Sequence, residues 1–324
     1  MTGAAARPET MMALRAHQRG GPETLRYEAA PRPVPAAGEV LVAVHAVAIT
    51  FAELGWDATW TRDGRDRTPT IPGHEVAGTV TGTGPGVTVP AVGDRVFGLL
   101  RFDHDGAAAD YVAAPAEHLA AAPARVSPVE AAAAPLAALT AWQALVDHAG
   151  VRRDDEVLVH GGAGGVGGFA VQLAGVLGAR VTATCLGADV EYVRGLGADD
   201  VVDVGTRAFD AGPARYDVVL DTVGGATLDR SWAVLRPRGR LVTLQRPPSP
   251  QDADRYGVKA YFFVVAPDRA ALTALAQLID DGLLRITVAA VFPLERGREA
   301  FDSGASFRRP PGKTVLLVRD PAAG

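Results

Sequence analysis

The chain changes rhythm twice along its length. Over residues 11–125 the apolar positions come in short runs of period two. In EVLVAVHAV, Val40, Val42 and Val44 fall on one face and Leu41, Ala43 and His45 on the other, the alternation of a strand. PGHEVAGTVTGTGPGV and VGDRVFG repeat the style, with glycines supplying the turns. This region reads as an irregular antiparallel barrel. From 126 to 265 apolar runs alternate with helical periods. Strands are expected at 156–160, 180–184, 200–202, 217–221, 240–244 and 260–265, with helices at Val166–Leu177 and Asp189–Leu196. Alternation of this kind specifies a doubly wound parallel sheet, and six strands complete a dinucleotide-binding fold. In 266–324 an amphipathic helix carrying Leu272, Leu275 and Leu278–Ile279 precedes a strand (ITVAAVF), a short helix (Leu294–Phe301) and a last strand (KTVLLV), a texture closer to the barrel. The expected class is α/β, with the barrel receiving both ends of the chain.

The bulk numbers narrow the function. At 324 residues there is room for two cores. A net charge of -5 offers nothing to a polyphosphate backbone, so nucleic acid is set aside as a partner. No apolar run is long enough to span a bilayer, which sets membranes aside too. The single cysteine, Cys185, excludes a disulfide framework and any zinc site built from several thiolates, and fits a cytoplasmic setting. It reads as an inert buried residue. Residues 1–10 read as a loose leader before the first strand.

The strongest local signal is EVLVHGGAGGVG (156–167). Gly162, Gly164 and Gly167 satisfy G-x-G-x-x-G between a strand and a helix. The expected roles are a tight turn at Gly162, close approach of the Gly164 backbone to a pyrophosphate, and helix–strand packing at Gly167. Ala163, Gly165 and Val166 complete the loop, and the helix start offers free amides to phosphate. The second strand ends Ala183-Thr184-Cys185-Leu186-Gly187 without the carboxylate that usually holds the ribose of NAD, which points to NADPH. Asp189 reads as a cap for the next helix; Arg180 and Arg194 are the nearest cations for the 2′-phosphate. Trp56 and Trp60, in the polar loop 55–67, suggest a pocket wall for a flat substrate. His104, in Asp103-His104-Asp105, is a candidate proton donor, with a solvated loop histidine as the plainer reading.

Together PGHEVAG (72–78), VGDRVFG (92–98), PLAALTAWQAL (135–145), HGGAGGVGGFAVQLA (160–174), LGADDVVD (196–203), LDTVGG (220–225) and RGRLVTL (238–244) resemble the medium-chain dehydrogenase/reductase superfamily, in its zinc-independent quinone oxidoreductase branch. The resemblance implies a GroES-like catalytic domain beside a Rossmann domain, NADPH, a conjugated carbonyl or quinone substrate, and a homodimer formed through a sheet-edge strand. His74 matches a zinc ligand of the alcohol dehydrogenase branch, but Thr50 stands where that branch has a cysteine. The resemblance therefore implies no metal, with His74 and Glu75 hydrogen-bonded near the substrate. It places Thr50 and Glu53 beneath the nicotinamide, where relatives often have Asn and Asp, and Thr140, Leu244 and Gln245 along the cofactor. Phe262, Phe263 and Val264 would meet its reactive end, or form buried strand or dimer edge. The expected function is NADPH-dependent reduction of a quinone or α,β-unsaturated carbonyl. The alternatives are a zinc alcohol dehydrogenase and a non-catalytic NADPH-binding protein.

Overall fold

The structure, a computed structural model, describes residues 9–306 and 309–319. The chain divides into two compact units. The first comprises residues 1–135, 267–277 and 287–324, the second 136–266 and 278–286. The boundary thus lies later than the expected 126, because the helix Pro128–Ala132 packs on the strands Glu39–Ile49 and Glu75–Thr83 of the first unit. The return of the chain is also split. Residues 278–286 belong with the second unit, where Gln172 bonds the Arg285 backbone through both its amide nitrogen and its oxygen.

In the first unit, a seven-stranded sheet runs Val288–Pro293, Lys313–Leu317, Glu39–Ile49, Glu75–Thr83, Arg95–Leu99 and Leu119–Ala121, with Tyr111–Pro115 also paired to Glu39–Ile49. All these pairs are antiparallel except the one between Val288–Pro293 and Lys313–Leu317. A separate hairpin, Thr10–Ala16 with Leu25–Pro31, adds Met11, Leu14 and Leu25 to the core. Glu39–Ile49 is the hub. It is nearly all β-branched or small and apolar, and it is covered on both faces except at His45 and its first residue, so the alternation drawn from sequence serves two buried faces.

The second unit is a parallel sheet in the order Asp200–Asp203, Arg180–Cys185, Glu156–His160, Tyr216–Asp221, Leu235–Thr243, Lys259–Phe262. Its inner strands are continuous Val/Leu/Ala runs, as burial by helices on both faces demands. Their core includes Leu158, Tyr216, Val219, Trp232 and Leu241. The order reverses between Glu156–His160 and Tyr216–Asp221, which opens a crevice at the carboxyl ends of the strands. The strand expected at 260–265 spans Lys259–Phe262 and lies at the sheet edge, half-exposed, so it is not the fully buried strand that was one of its readings. No helix among the described residues is long and apolar enough to cross a membrane.

Candidate functional site

The glycine loop sits at the crevice. Strand Glu156–His160 ends, and the helix Gly165–Val176 begins with Gly164 at its N-cap. The turn itself is made at Gly161, whose φ is +76°, and not at Gly162 as the spacing suggested. A side chain at Gly162 would touch Ala183 at 3.0 Å, so that residue keeps the second strand close. At Gly167 a Cβ would stand 2.1 Å from the Gly161 carbonyl oxygen, so only glycine lets the helix seat on the loop. Gly164 meets nothing but that carbonyl, at 3.3 Å, and is otherwise open.

Side chains at the strand ends fix the loop from below. His160, fully buried, meets the Thr184 hydroxyl through Nδ1 (3.2 Å) and the Ser231 hydroxyl through Nε2 (3.0 Å). Burial holds its pKa down near 4, so it is a neutral strut. The Gly161 amide also donates to Thr184, and the Thr222 hydroxyl donates to the His160 carbonyl. Asp221 accepts the amides of Val223 and Gly224 and the Thr243 hydroxyl. His160 had shown no partners in sequence, because these lie 24 to 71 residues away.

A cavity of about 480 Å³ opens beside the loop, lined by Ala163, Gly164, Thr184, Asp189, Arg207 and Arg230 among others. Its size and glycine cradle suit the adenosine and pyrophosphate of a dinucleotide. The cations are not the expected ones. Arg180 begins its strand, at the far end of the sheet, and pairs with Glu156, while Arg194 pairs with Glu191 on an exposed helix. Arg207 and Arg230 replace them, each tied to an aspartate, Asp200 and Asp210 respectively. Asp189 makes no capping bond and lines the cavity instead. The Asp203 carboxylate, from the next strand, would lie 2.8 Å from a Cβ at Gly187, an acid just beyond the end of the second strand that local spacing did not reveal. Cys185 lines the wall, its thiol pushed up to about 11 by burial and by Asp189 and Asp203, as expected of an unreactive cysteine.

The other cofactor candidates of this unit lie outside that lining. Thr140 is buried and donates its hydroxyl to the Leu136 carbonyl of its own helix. Leu244 follows the fifth strand and bonds the Asp221 carbonyl; Gln245 donates to the Thr222 carbonyl and covers Gly224. Phe263 packs on the His148 ring at 4.5 Å, while Phe262 and Val264 are exposed. Gly162, Gly165 and Val166 form the loop and first helical turn behind the lining.

In the first unit three strand ends converge. Thr50 follows Ile49, Glu75 opens Glu75–Thr83, and Lys313 opens Lys313–Leu317. Register sets Ile49 opposite Thr314 and Ala48 opposite Glu75. Lys313 Nζ donates to Thr50 Oγ1 at 3.1 Å and pairs with Glu75 Oε2 at 2.5 Å. Glu53, 1% exposed, accepts the amide of Gly73 at 3.2 Å and, more weakly, that of Thr50 at 3.4 Å. Gly73 presents its amide from φ +85°, which explains a glycine before His74. Burial raises Glu53 to about 8, against the opposing pull of the Gly73 amide and the Lys313 charge, so it is a neutral acid at pH 7. His74 lies 3.7 Å from Glu53, is 2% exposed, and is held neutral near pKa 3 by burial and by Arg67. It makes no hydrogen bond to Glu75, contrary to the expected pairing; Glu75 turns to Lys313 instead.

The two tryptophans part company. Trp56 packs edge-on to Phe102 at 4.9 Å, and Phe102 in turn to His74 at 5.4 Å, so Trp56 borders this cluster. Trp60 does not form a pocket wall. It is 3% exposed, within the core, and its indole N–H donates to the Leu54 carbonyl at 2.8 Å. With the Thr59 hydroxyl on the Glu53 carbonyl, it clamps the turn that carries Glu53. His104 stands apart. It bonds Asp103 and lines a different cavity with Arg67, Asp105 and Tyr111, whose lining includes none of Thr50, Glu53 or His74.

Residues 36–124 match the family model of the alcohol dehydrogenase GroES-like domain, and residues 196–316 that of a zinc-binding dehydrogenase. A probable zinc-binding oxidoreductase of mitochondria from Arthroderma benhamiae is 33% identical, over 91% of this chain and 93% of its own. The chain belongs to the medium-chain dehydrogenase/reductase superfamily, in its quinone oxidoreductase branch. A mitochondrial NAD(P)H oxidoreductase from Danio rerio is 30% identical, covering 87% of this chain and 84% of its own. The chain also matches part of the pikromycin polyketide synthase component PikAII of Streptomyces venezuelae, at 36% identity over 92% of this chain and 8% of that protein. The structure of the quinone oxidoreductase from Coxiella burnetii superposes with a TM-score of 0.85 at 28% identity, over 96% of this chain and all of that one. Membership makes the protein an oxidoreductase with a nicotinamide cofactor, and the glycine cradle fits that cofactor.

Zinc, which two of these names carry, fits poorly. His74 has both ring nitrogens unbonded, as a ligand would, but a zinc site needs three protein donors. Thr50 stands where the sequence resemblance puts a cysteine ligand, and the Lys313 ammonium bonds its hydroxyl. No group of three or more His, Cys, Asp or Glu among the described residues is placed to hold a metal ion.

Proposed function

We propose that this protein is an NADPH-dependent reductase of quinones or α,β-unsaturated carbonyls that works without a metal. The reading is supported by the first unit's polar cluster, in which a lysine ammonium bonds a threonine hydroxyl beside the buried Glu53. Bound reduced nicotinamide supplies a hydride. The chain's part is to orient the acceptor and to stabilise the negative charge that gathers on its oxygen. Thr50 offers a hydroxyl for that oxygen. The neutral Glu53 and His74 add no negative charge that would oppose it. Trp56 and Phe102 give a flat, apolar flank suited to a quinone or enone. The solved relative named as a quinone oxidoreductase and the polyketide synthase relative are consistent with such acceptors.

Arg207 and Arg230 in the adenosine cavity support NADPH over NADH. A second reading, NADH, is favoured by Asp189, which lines the same cavity, and by Asp203 beside Gly187, since carboxylates there would repel a 2′-phosphate. Titrating the protein with NADPH and with NADH, followed by loss of reduced-nicotinamide absorbance with quinones and enones in the presence of a chelator, tests both readings. NADPH preference and chelator-resistant turnover support the proposal. NADH preference selects the second reading, and a broad acceptor panel without turnover leaves a nucleotide-binding protein. The half-exposed edge strand Lys259–Phe262 fits two-fold strand pairing into a homodimer, and the lone cysteine fits the cytoplasm.

A further inference from the structure

We infer that Lys313 is the positioning residue that makes the Thr50 hydroxyl a hydrogen-bond donor to the acceptor oxygen and supplies the positive charge behind it. The inference rests on the carbonyl-reducing function proposed above. Four observations carry it. An ammonium has donors and no acceptor, so in the 3.1 Å contact Thr50 Oγ1 must accept, and the Thr50 O–H is turned away from Lys313. Thr50 is partly exposed, so the residue is not sealed into the core. The ammonium is anchored rather than mobile: its side chain is 11% exposed, it is 2.5 Å from a carboxylate only 1% exposed, and both ends are set by strand register. Finally, the Thr50 backbone is held by the neutral Glu53, and among the described residues the positive charge bonded to the Thr50 side chain is that of Lys313.

A fixed cation bonded to a hydroxyl polarises it and strengthens its donation to a developing oxyanion. It stands ready before reaction, so no reorganisation is needed as the charge forms. Lys313 forms no bond with substrate and moves no proton in this account. Its contribution passes through Thr50, which is why mutating the two together separates the proposal from a structural role.

The experiment compares Lys313→Met, Lys313→Arg, Thr50→Val and the double variant Thr50→Val/Lys313→Met, in steady-state reduction of a quinone and an enone by NADPH. Removing a direct oxyanion donor costs about 10²–10³ in kcat. Acting through Thr50, Lys313→Met should lower kcat about 10- to 100-fold with KM for NADPH unchanged, and Lys313→Arg should restore most of it. In the Thr50→Val background the same lysine change should cost less than about twofold. Equal losses in both backgrounds would overturn the proposal, as would an unchanged kcat in Lys313→Met. Because Lys313→Met also strips the charge partner from buried Glu75, the pair Lys313→Met/Glu75→Gln is measured alongside. A persisting kcat loss with a restored melting temperature supports the proposal; recovery of kcat with the fold refutes it. A wild-type protein that reduces no conjugated acceptor removes the function and this inference together. Wild-type turnover indifferent to Lys313 removes the inference alone.

Discussion

Glu53 offers the sharpest quantitative test, because its proton links the site to stability. The acid titrates near 4.5 in the unfolded chain and near 8 in the folded one. Between those values the folded state holds a proton that the unfolded state has released, so stability falls as pH rises, by about 1.4 kcal/mol per pH unit. Below pH 6.5 the trend is opposed by histidines with depressed folded pKa values, His74 above all, near 3. For these the unfolded state binds the extra proton, so stability falls as pH drops through that range. His45, His118 and His160 act in the same direction. From pH 6.5 to 8 the unfolded histidines still release their last protons, which raises stability and masks part of the Glu53 effect, so Glu53 is isolated by the difference between wild type and Glu53→Gln. Integrated over that window, the Glu53 contribution falls by about 2 kcal/mol, so wild type should lose roughly 4–8 °C in melting temperature relative to Glu53→Gln for a unit of this size. Glu53→Gln keeps an acceptor for the Gly73 amide and removes the proton. Differential scanning calorimetry at pH 6.5, 7.25 and 8 should show the first unit's wild-type transition losing ground steadily to the variant's, which itself rises as the unfolded histidines lose their protons. Wild-type and variant curves that run parallel would refute the assignment of a neutral buried acid.

The remaining expectations are simpler. Gly167→Ala drives a methyl into the Gly161 carbonyl at 2.1 Å, and should cost about 1–3 kcal/mol of stability and weaken dinucleotide binding by more than tenfold, measured by fluorescence titration. Arg207→Ala and Arg230→Ala should each weaken NADPH about tenfold and leave NADH unchanged; equal effects on both would place the 2′-phosphate elsewhere. Trp60→Ala should cost about 3–5 kcal/mol in denaturant unfolding, whereas Trp56→Ala should raise KM for the acceptor with little loss of stability.

The fold was legible because its two periods differ. Buried parallel strands such as Val157–Val159 and Val218–Leu220 are short apolar runs between helical patterns, and their positions shift by only a residue or two in the structure. The glycine loop was legible because phosphate chemistry dictates local spacing. What escaped was set by long-range register. Nothing near Thr50 points to Lys313, 263 residues away. Arg207 reaches the cavity beside the glycine loop from the segment that follows the strand Asp200–Asp203. Trp60 looked like a pocket wall because its neighbours are polar, yet its indole finds a backbone carbonyl and sinks into the core. His104 was read from exposure alone, and exposure placed it in another cavity.

The central claim is that a nicotinamide in the glycine cradle reduces a conjugated carbonyl under the influence of side chains and no metal. NADPH carrying deuterium at its reactive carbon, incubated with chelator-treated protein and an enone, tests it in one measurement by mass spectrometry and NMR of the product. The account predicts deuterium on the carbon β to the carbonyl at an undiminished rate. Unlabelled product, or turnover that vanishes with the chelator and returns with zinc, would contradict it.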